Sequence, residues 1–87
     1  MGDIFLNNLP SLDLHGYDRE CARVAINDFI NDNIRMKKPK ILIIHGKGTG
    51  ILRATTKETL SKNKYVNNFQ TSIFNEGCTI VNLKNSK

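Results

Sequence analysis

The chain has 87 residues, of which 39% are hydrophobic, and this amount of apolar sequence supports one modest core but not two. No run approaches the roughly 20 apolar residues of a membrane span, and the first residues lack the basic start and long apolar stretch of a signal peptide. We therefore expect a cytoplasmic domain with no membrane partner, and the formal net charge of +5 favours anionic partners.

The first half of the chain predicts a short strand followed by a long helix. Residues 1–11 are expected to be a lead-in segment, because Pro10 discourages regular structure just before a strand that starts at Leu12. From Asp18, which is placed to cap a helix, apolar residues recur at three- and four-residue spacing. This stripe consists of Ala22, Ala25, Ile26, Phe29, Ile30 and Ile34. Pro39 ends the helix because proline cannot continue it.

The second half predicts a central strand, a second helix and two final strands. The aliphatic run Ile41-Leu42-Ile43-Ile44 predicts a strand from residue 40 to 44 that is buried on both faces, as in a parallel sheet. A helix opens at Thr49 or Gly50 and closes at Asn63. Residues 66–74 and 78–83 are strand candidates on either side of a turn at residues 75–77.

The order strand-helix-strand-helix-strand-strand predicts an α/β fold with two crossover connections. We expect a mostly parallel four-stranded sheet with a terminal hairpin. In such a sheet, ligands collect beyond the carboxyl ends of the strands. The segments that follow the first two strands are therefore the candidate site.

A glycine-rich segment, His45-Gly46-Lys47-Gly48-Thr49-Gly50, directly follows the central strand. Its glycines allow close backbone approach, the following helix offers unpaired amides at its positive end, and Lys47 adds a full charge. This is a pattern for phosphate binding. An ATPase P-loop is excluded, because Gly48 stands where Ser or Thr should bind magnesium, and the glycine spacing also argues against a dinucleotide site.

Two histidines lie at equivalent strand ends, His15 in Leu12-Asp13-Leu14-His15-Gly16 and His45 in the glycine-rich segment. Each histidine could exchange protons, contact phosphate or have a structural role, whereas no recognisable cluster of metal ligands is present. Asp13 could orient an imidazole, and a hydrogen bond to the backbone is an equal alternative. We predict that both strand ends converge on one anionic ligand.

The charge distribution supports a polyanionic partner. Residues 35–64 contain nine basic residues against Glu58 alone. They are Arg35, Lys37, Lys38, Lys40, Lys47, Arg53, Lys57, Lys62 and Lys64. A solvated lysine surface would give the same count, but the overlap with the glycine-rich segment favours nucleic acid. Arg53 and Lys57, four residues apart on the second helix, are the expected contacts outside the loop.

Residues 12–16, residues 45–50 and Gly77-Cys78-Thr79-Ile80-Val81 together resemble the motifs of the small MutS-related (Smr) domain family. The resemblance implies a two-layer α/β sandwich, similar to the C-terminal domain of translation initiation factor three, over residues 12–84, with residues 85–87 as a tail. The sequence departs from the pattern of this family in two ways. The turn at residues 75–77 is shorter than in many members, and the large ATPase and clamp regions of MutS-type proteins are absent. We expect either a free-standing member or an excised C-terminal domain.

Because several members of this family nick DNA or cleave RNA, the resemblance implies a nucleic-acid-binding endonuclease. Its catalytic residues would be Asp13, His15 and Lys47. The nucleic-acid-binding residues would be His45, Gly46, Lys47, Gly48, Thr49, Gly50, Arg53 and Lys57. No cofactor is expected for RNA cleavage, whereas DNA cleavage would call for a divalent metal. The alternatives are a non-catalytic module that binds nucleic acid or ribosomes, and a nucleotide-binding enzyme or regulator.

Overall fold

A computed structural model describes residues 9–46, 50–72 and 77–84, which form a four-stranded sheet and two helices. The strands are β1 (Ser11–Asp13), β2 (Lys40–Ile44), β3 (Val66–Thr71) and β4 (Cys78–Leu83), and the helices are α1 (Arg19–Arg35) and α2 (Ile51–Lys62). Their order along the chain, β1-α1-β2-α2-β3-β4, is the one expected from the sequence.

The expectation of a mostly parallel sheet is wrong. The strand order is β1-β2-β4-β3, and only β1 and β2 pair in parallel, because the antiparallel strand β4 lies between β2 and β3. The aliphatic run of β2 suggested burial on both faces, but only Ile41 and Ile43 are fully buried, while Leu42 and Ile44 are half-buried. An antiparallel neighbour explains this pattern, since such sheets can leave one face open to solvent.

The core lies between one face of the sheet and the two helices, which also contact each other. It is built from apolar residues that are at most 9% exposed. They are Leu14, Ala22, Ile26, Ile30, Ile41, Ile43, Leu60, Val66, Val81 and Leu83. A shortest dimension of 18 Å fits one layer of helices on one layer of strands.

Helix α1 is closed at both ends by local hydrogen bonds. At its start, the Asp18 carboxylate accepts the backbone N–H of Cys21 at 2.8 Å, as the sequence predicts for a capping residue. At its end, Lys37 adopts a left-handed conformation with φ of 60°, and Lys38 N–H donates to Asn33 O at 2.9 Å. Among the described residues, neither helix is long and apolar enough to cross a membrane.

Candidate functional site

The ends of β1 and β2 lie side by side and open into one depression of about 380 Å³. Asp13 pairs with Ile44 in the parallel register, and Leu14 N–H donates to Ile44 O at 2.9 Å. The depression is lined by Asp13, His15 and Gly16 after β1, by Ile44, His45 and Gly46 after β2, and by Leu52 in the first turn of α2. The two strand ends therefore converge as the sequence predicts.

Asp13 organises the turn that carries His15. Its Oδ1 accepts the backbone N–H of His15 at 2.9 Å, which is the local side-chain-to-backbone bond typical of aspartate in turns. The turn is completed by Gly16, whose φ of 81° favours glycine, and by Tyr17 N–H donating to Leu14 O at 3.0 Å. The exposed His15 is thus held by its backbone at the rim of the depression.

His45 is buried, and both of its ring nitrogens have partners inside the protein. Only 6% of the residue is exposed. Nδ1 lies 3.0 Å from Gly46 O, and Nε2 lies 2.8 Å from the hydroxyl of Thr79, which is itself buried in β4. Because a carbonyl can only accept, the proton sits on Nδ1, and the Thr79 hydroxyl donates to Nε2. His45 thus fixes the start of the glycine-rich segment from inside.

The surroundings of His45 favour its neutral form. Burial holds the pKa of His45 below its ordinary value of 6.5, and the charges of Arg53 and Lys57 lower the pKa further. The hydrogen bond to the Gly46 carbonyl opposes them but does not reverse the direction. A neutral ring with its proton on Nδ1 leaves Nε2 able to accept the hydrogen bond from the Thr79 hydroxyl.

The backbone of the glycine-rich segment is anchored to the opposite strand end. The N–H groups of His45 and Gly46 both donate to Gly77 O, at 2.8 and 2.9 Å. Gly46 has a φ of 79° and Gly50 a φ of 89°, so the described ends of the segment both use the left-handed region that favours glycine. Gly50 gives α2 no side-chain cap, and the first turn of α2 contains no acidic residue. The positive end of the α2 dipole is therefore not offset by a carboxylate in that turn.

The basic residues of the central block separate into different environments. Arg53 and Lys57 lie close enough to His45 to affect its pKa, whereas Arg35 and Lys62 form ion pairs within their own helices. The Arg35–Asp32 pair spans 2.8 Å and the Lys62–Glu58 pair 3.4 Å. Arg53 and Lys57 thus carry positive charge near His45, one of the residues that line the depression.

Three predicted site residues, Lys47, Gly48 and Thr49, lie outside the described residues. Gly50 forms the N-cap of α2, while Asp13, His15 and Gly46 line the depression. In the part of the chain that the structure describes, no group of three or more His, Cys, Asp or Glu residues is arranged to hold a metal ion.

Sequence reasoning missed the roles of Thr79, Gly77, Ile44 and Leu52. Thr79 and Gly77 reach the site only because β4 pairs directly with β2. Pairing the last strand antiparallel to β2 would have placed Thr79 opposite Ile43, two residues before the segment that Thr79 supports. Ile44 and Leu52 follow apolar patterns that indicate core residues, and no sequence signal separates them from the core.

Comparison with known proteins gives consistent results. The Smr domain family model matches residues 12–84. The Endonuclease MutS2 of Geobacillus sp. (strain WCH70) is 45% identical over 76 residues, which are 84% of this chain and 10% of that protein. The Endonuclease MutS2 of Alkaliphilus metalliredigens (strain QYMF) is 37% identical over 76 residues, with the same coverage. The chain spans about a tenth of the length of these curated relatives.

Two solved structures share the fold. The Smr domain of Thermus thermophilus MutS2 has a TM-score of 0.83 and 27% sequence identity, covering 86% of this chain and 98% of that one. YdaL, a stand-alone small MutS-related protein from Escherichia coli, has a TM-score of 0.81 and 26% identity, covering 85% of this chain and 63% of that one. On the family match, the sequence identities and these structures, the chain belongs to the Smr domain family.

Proposed function

We propose that this domain binds nucleic acid at the neighbouring carboxyl ends of β1 and β2 and cleaves phosphodiester bonds there. The observation that carries the proposal is the depression that joins His15 to the start of the glycine-rich segment, where the charges of Arg53 and Lys57 act on His45. Backbone phosphates would lie along the glycine-rich segment and the first turns of α2, where positive charge collects. The relatives named Endonuclease MutS2 support this class of activity.

RNA cleavage suits the side chains best. His15 is exposed at the rim, so its imidazole can remove the proton of a ribose 2′-hydroxyl, whose oxygen then attacks the adjacent phosphorus. The bond from phosphorus to the 5′-oxygen of the next nucleotide breaks, and that oxygen takes a proton from solvent. Lys47 and the amides of the glycine-rich segment would stabilise the charge that develops on the phosphate oxygens. Asp13 acts through the turn that it holds, since its carboxylate bonds to the His15 backbone. Asp13 is therefore a positioning residue in this proposal.

DNA has no 2′-hydroxyl, so its cleavage needs an activated water and would call on a divalent metal. Of the described side chains with ligand chemistry at the depression, both ring nitrogens of His45 are hydrogen-bonded inside the protein. Asp13 and His15 are then two ligands, fewer than the three or four protein ligands typical of a metal site. RNA is therefore the preferred substrate of the proposed activity. A non-catalytic module that binds nucleic acid or ribosomes is the second candidate, favoured by the burial of His45, which takes one of the two histidines away from chemistry.

A paired cleavage assay tests the enzyme. Labelled RNA and supercoiled DNA are incubated with the parent protein, His15→Ala and Lys47→Ala, with and without Mg²⁺. We expect RNA cleavage by the parent and a loss of about a hundredfold or more in each variant. Cleavage unchanged in both variants would remove these residues from the mechanism. Binding without cleavage under every condition would favour the non-catalytic module.

A matched pair of lysine variants tests the binding surface. Lys57 lies on α2 close enough to His45 to affect its pKa. Lys40 is the first residue of β2, at the end of the strand opposite the depression. Both side chains are exposed, and each Lys→Ala change removes one charge. Lys57→Ala should weaken binding across all sequences and lower the slope of log affinity against log salt by about one, and Lys40→Ala should change neither. Equal effects from both variants would indicate non-specific charge attraction.

A further inference from the structure

The depression at the carboxyl ends of β1 and β2 has an apolar part that phosphate binding does not explain. Ile44 and Leu52 line it together with Asp13, His15 and the two glycines. A phosphate group gains from amides and cations and nothing from aliphatic side chains. Leu52 also packs against the core, and the part of the lining that it forms with Ile44 offers a contact surface to a different part of a nucleotide, either the base or the sugar.

The carboxylate of Asp13 favours the base over the sugar as the group that occupies the depression. Its carboxylate lies in the lining of the depression and would repel a phosphate placed there. One oxygen is engaged by the His15 backbone, but a carboxylate has acceptor sites for several hydrogen bonds. Exocyclic amino groups on the edges of bases are donors that carboxylates recognise, as between Asp or Glu and cytosine N4. An aliphatic surface next to an acceptor matches the flat face and the donor edge of a nucleobase.

We propose that this depression binds one unpaired nucleobase while the neighbouring phosphate lies on the glycine-rich segment. The proposal rests on the nucleic-acid-binding function proposed above and specifies its substrate class. A base stacked and paired in a duplex cannot place its face on Ile44 and Leu52, so the domain selects bulged or single-stranded nucleotides over continuous duplex. Recognition divides between charge at the glycine-rich segment and apolar contact in the depression.

Three ligands separate these contributions using the parent protein. They are a perfect duplex, the same duplex with one unpaired cytidine, and the same duplex with an abasic residue at the unpaired position, each made as RNA and as DNA. Fluorescence anisotropy at fixed salt gives the affinities. We expect the unpaired cytidine to bind about tenfold more tightly than the abasic ligand, the size expected for one contacted base. The abasic ligand and the perfect duplex should bind with similar affinity through their phosphates.

Two protein variants test the side chains. Leu52→Ala should reduce the ratio of cytidine to abasic affinity, whereas Ile51→Ala, which alters an adjacent exposed residue of the same helix, should preserve it. Asp13→Asn retains an oxygen for the His15 N–H but replaces the second carboxylate oxygen by an NH₂ group, so it should also lower the ratio. The ratio cancels any general change in charge or folding that affects both ligands equally.

The outcomes separate this inference from the function on which it rests. Salt-dependent binding with equal affinity for cytidine and abasic ligands would overturn the unpaired-base site and leave nucleic-acid binding intact. Failure to bind any of the RNA or DNA ligands would overturn both. A ratio that stays at its parental value in both Leu52→Ala and Asp13→Asn would place the base elsewhere and overturn the assignment to this depression.

Discussion

The hydroxyl of Thr79 in β4 donates to Nε2 of His45 at 2.8 Å and so couples the last strand to the start of the glycine-rich segment. The other ring nitrogen holds the Gly46 carbonyl at 3.0 Å, and Gly77 O accepts both backbone N–H groups of His45 and Gly46. These bonds hold His45 and Gly46, the first two residues of the segment that we propose to contact phosphate.

Removing the Thr79 hydroxyl should destabilise the fold. Thr79→Val preserves the side-chain shape but leaves the buried Nε2 without its donor, which costs about 1–3 kcal/mol. Thr79→Ser retains the hydroxyl and should recover most of that loss despite the missing methyl group. Urea unfolding monitored by circular dichroism measures both variants. A Thr79→Val protein as stable as the Thr79→Ser protein would show that the hydrogen bond contributes nothing.

The stability of the domain should fall as the pH drops below about 6.5. Because burial lowers the pKa of folded His45 below 6.5, the unfolded chain binds a proton that the folded chain resists. The free energy of unfolding is therefore unaffected by His45 above pH 6.5 and decreases on the way down to its folded pKa, by at most about 1.4 kcal/mol per pH unit for one proton. Asp18, whose pKa is lowered by the Cys21 amide, titrates below 3.8 and lies outside this window.

Urea unfolding at several values between pH 5 and pH 8 checks this dependence. The His45→Gln variant serves as the control, since glutamine cannot titrate and should give a shallower slope below pH 6.5. Identical slopes in the parent and in His45→Gln would assign the pH dependence to other groups. A parent stability that rises on acidification would contradict the direction of the pKa shift.

The capping bond of Asp18 gives a third expectation. Asp18→Ala leaves the Cys21 N–H at the start of α1 without its acceptor and should lower Tm by about 5 °C. Asp18→Asn keeps a side-chain oxygen and should lose much less. Asp28→Ala, at an exposed position in the same helix, controls for the loss of an acidic charge. Thermal melts in which Asp18→Ala and Asp28→Ala coincide would rule out a stabilising cap.

Local patterns in the sequence predicted the elements of this fold well, and pairing between distant strands was predicted less well. The spacing of Ala22, Ile26 and Ile30 and the position of Asp18 indicated α1 correctly, because helix formation depends on neighbours three and four residues away. The expectation that β2 lies within a mostly parallel sheet was wrong, because β2 pairs with the antiparallel strand β4 on its second side. Four consecutive aliphatic residues fit a parallel or an antiparallel neighbour equally. Strand pairing depends on the path of the whole chain.

The same limit applies to the site. Asp13, His15 and Gly46 were predicted to converge, and they line one depression, because parallel strands bring their carboxyl ends to the same edge. The two histidines looked equivalent in the sequence, yet His15 is exposed and His45 is buried. One partner of the buried His45 is Thr79, which lies 34 residues further along the chain and reaches His45 through the antiparallel β4.

The most direct test of the joint site is a titration of the ¹⁵N-labelled domain with a short RNA, followed by two-dimensional NMR. The largest amide shifts should fall on residues 13–16, on His45 and Gly46, and in the first turn of α2, because these groups surround the depression. Amides of the outer face of α1 and of the edge strand β3 should remain unchanged. Shifts concentrated on α1 or β3, or no shifts at saturating RNA, would contradict a nucleic-acid site at the ends of β1 and β2.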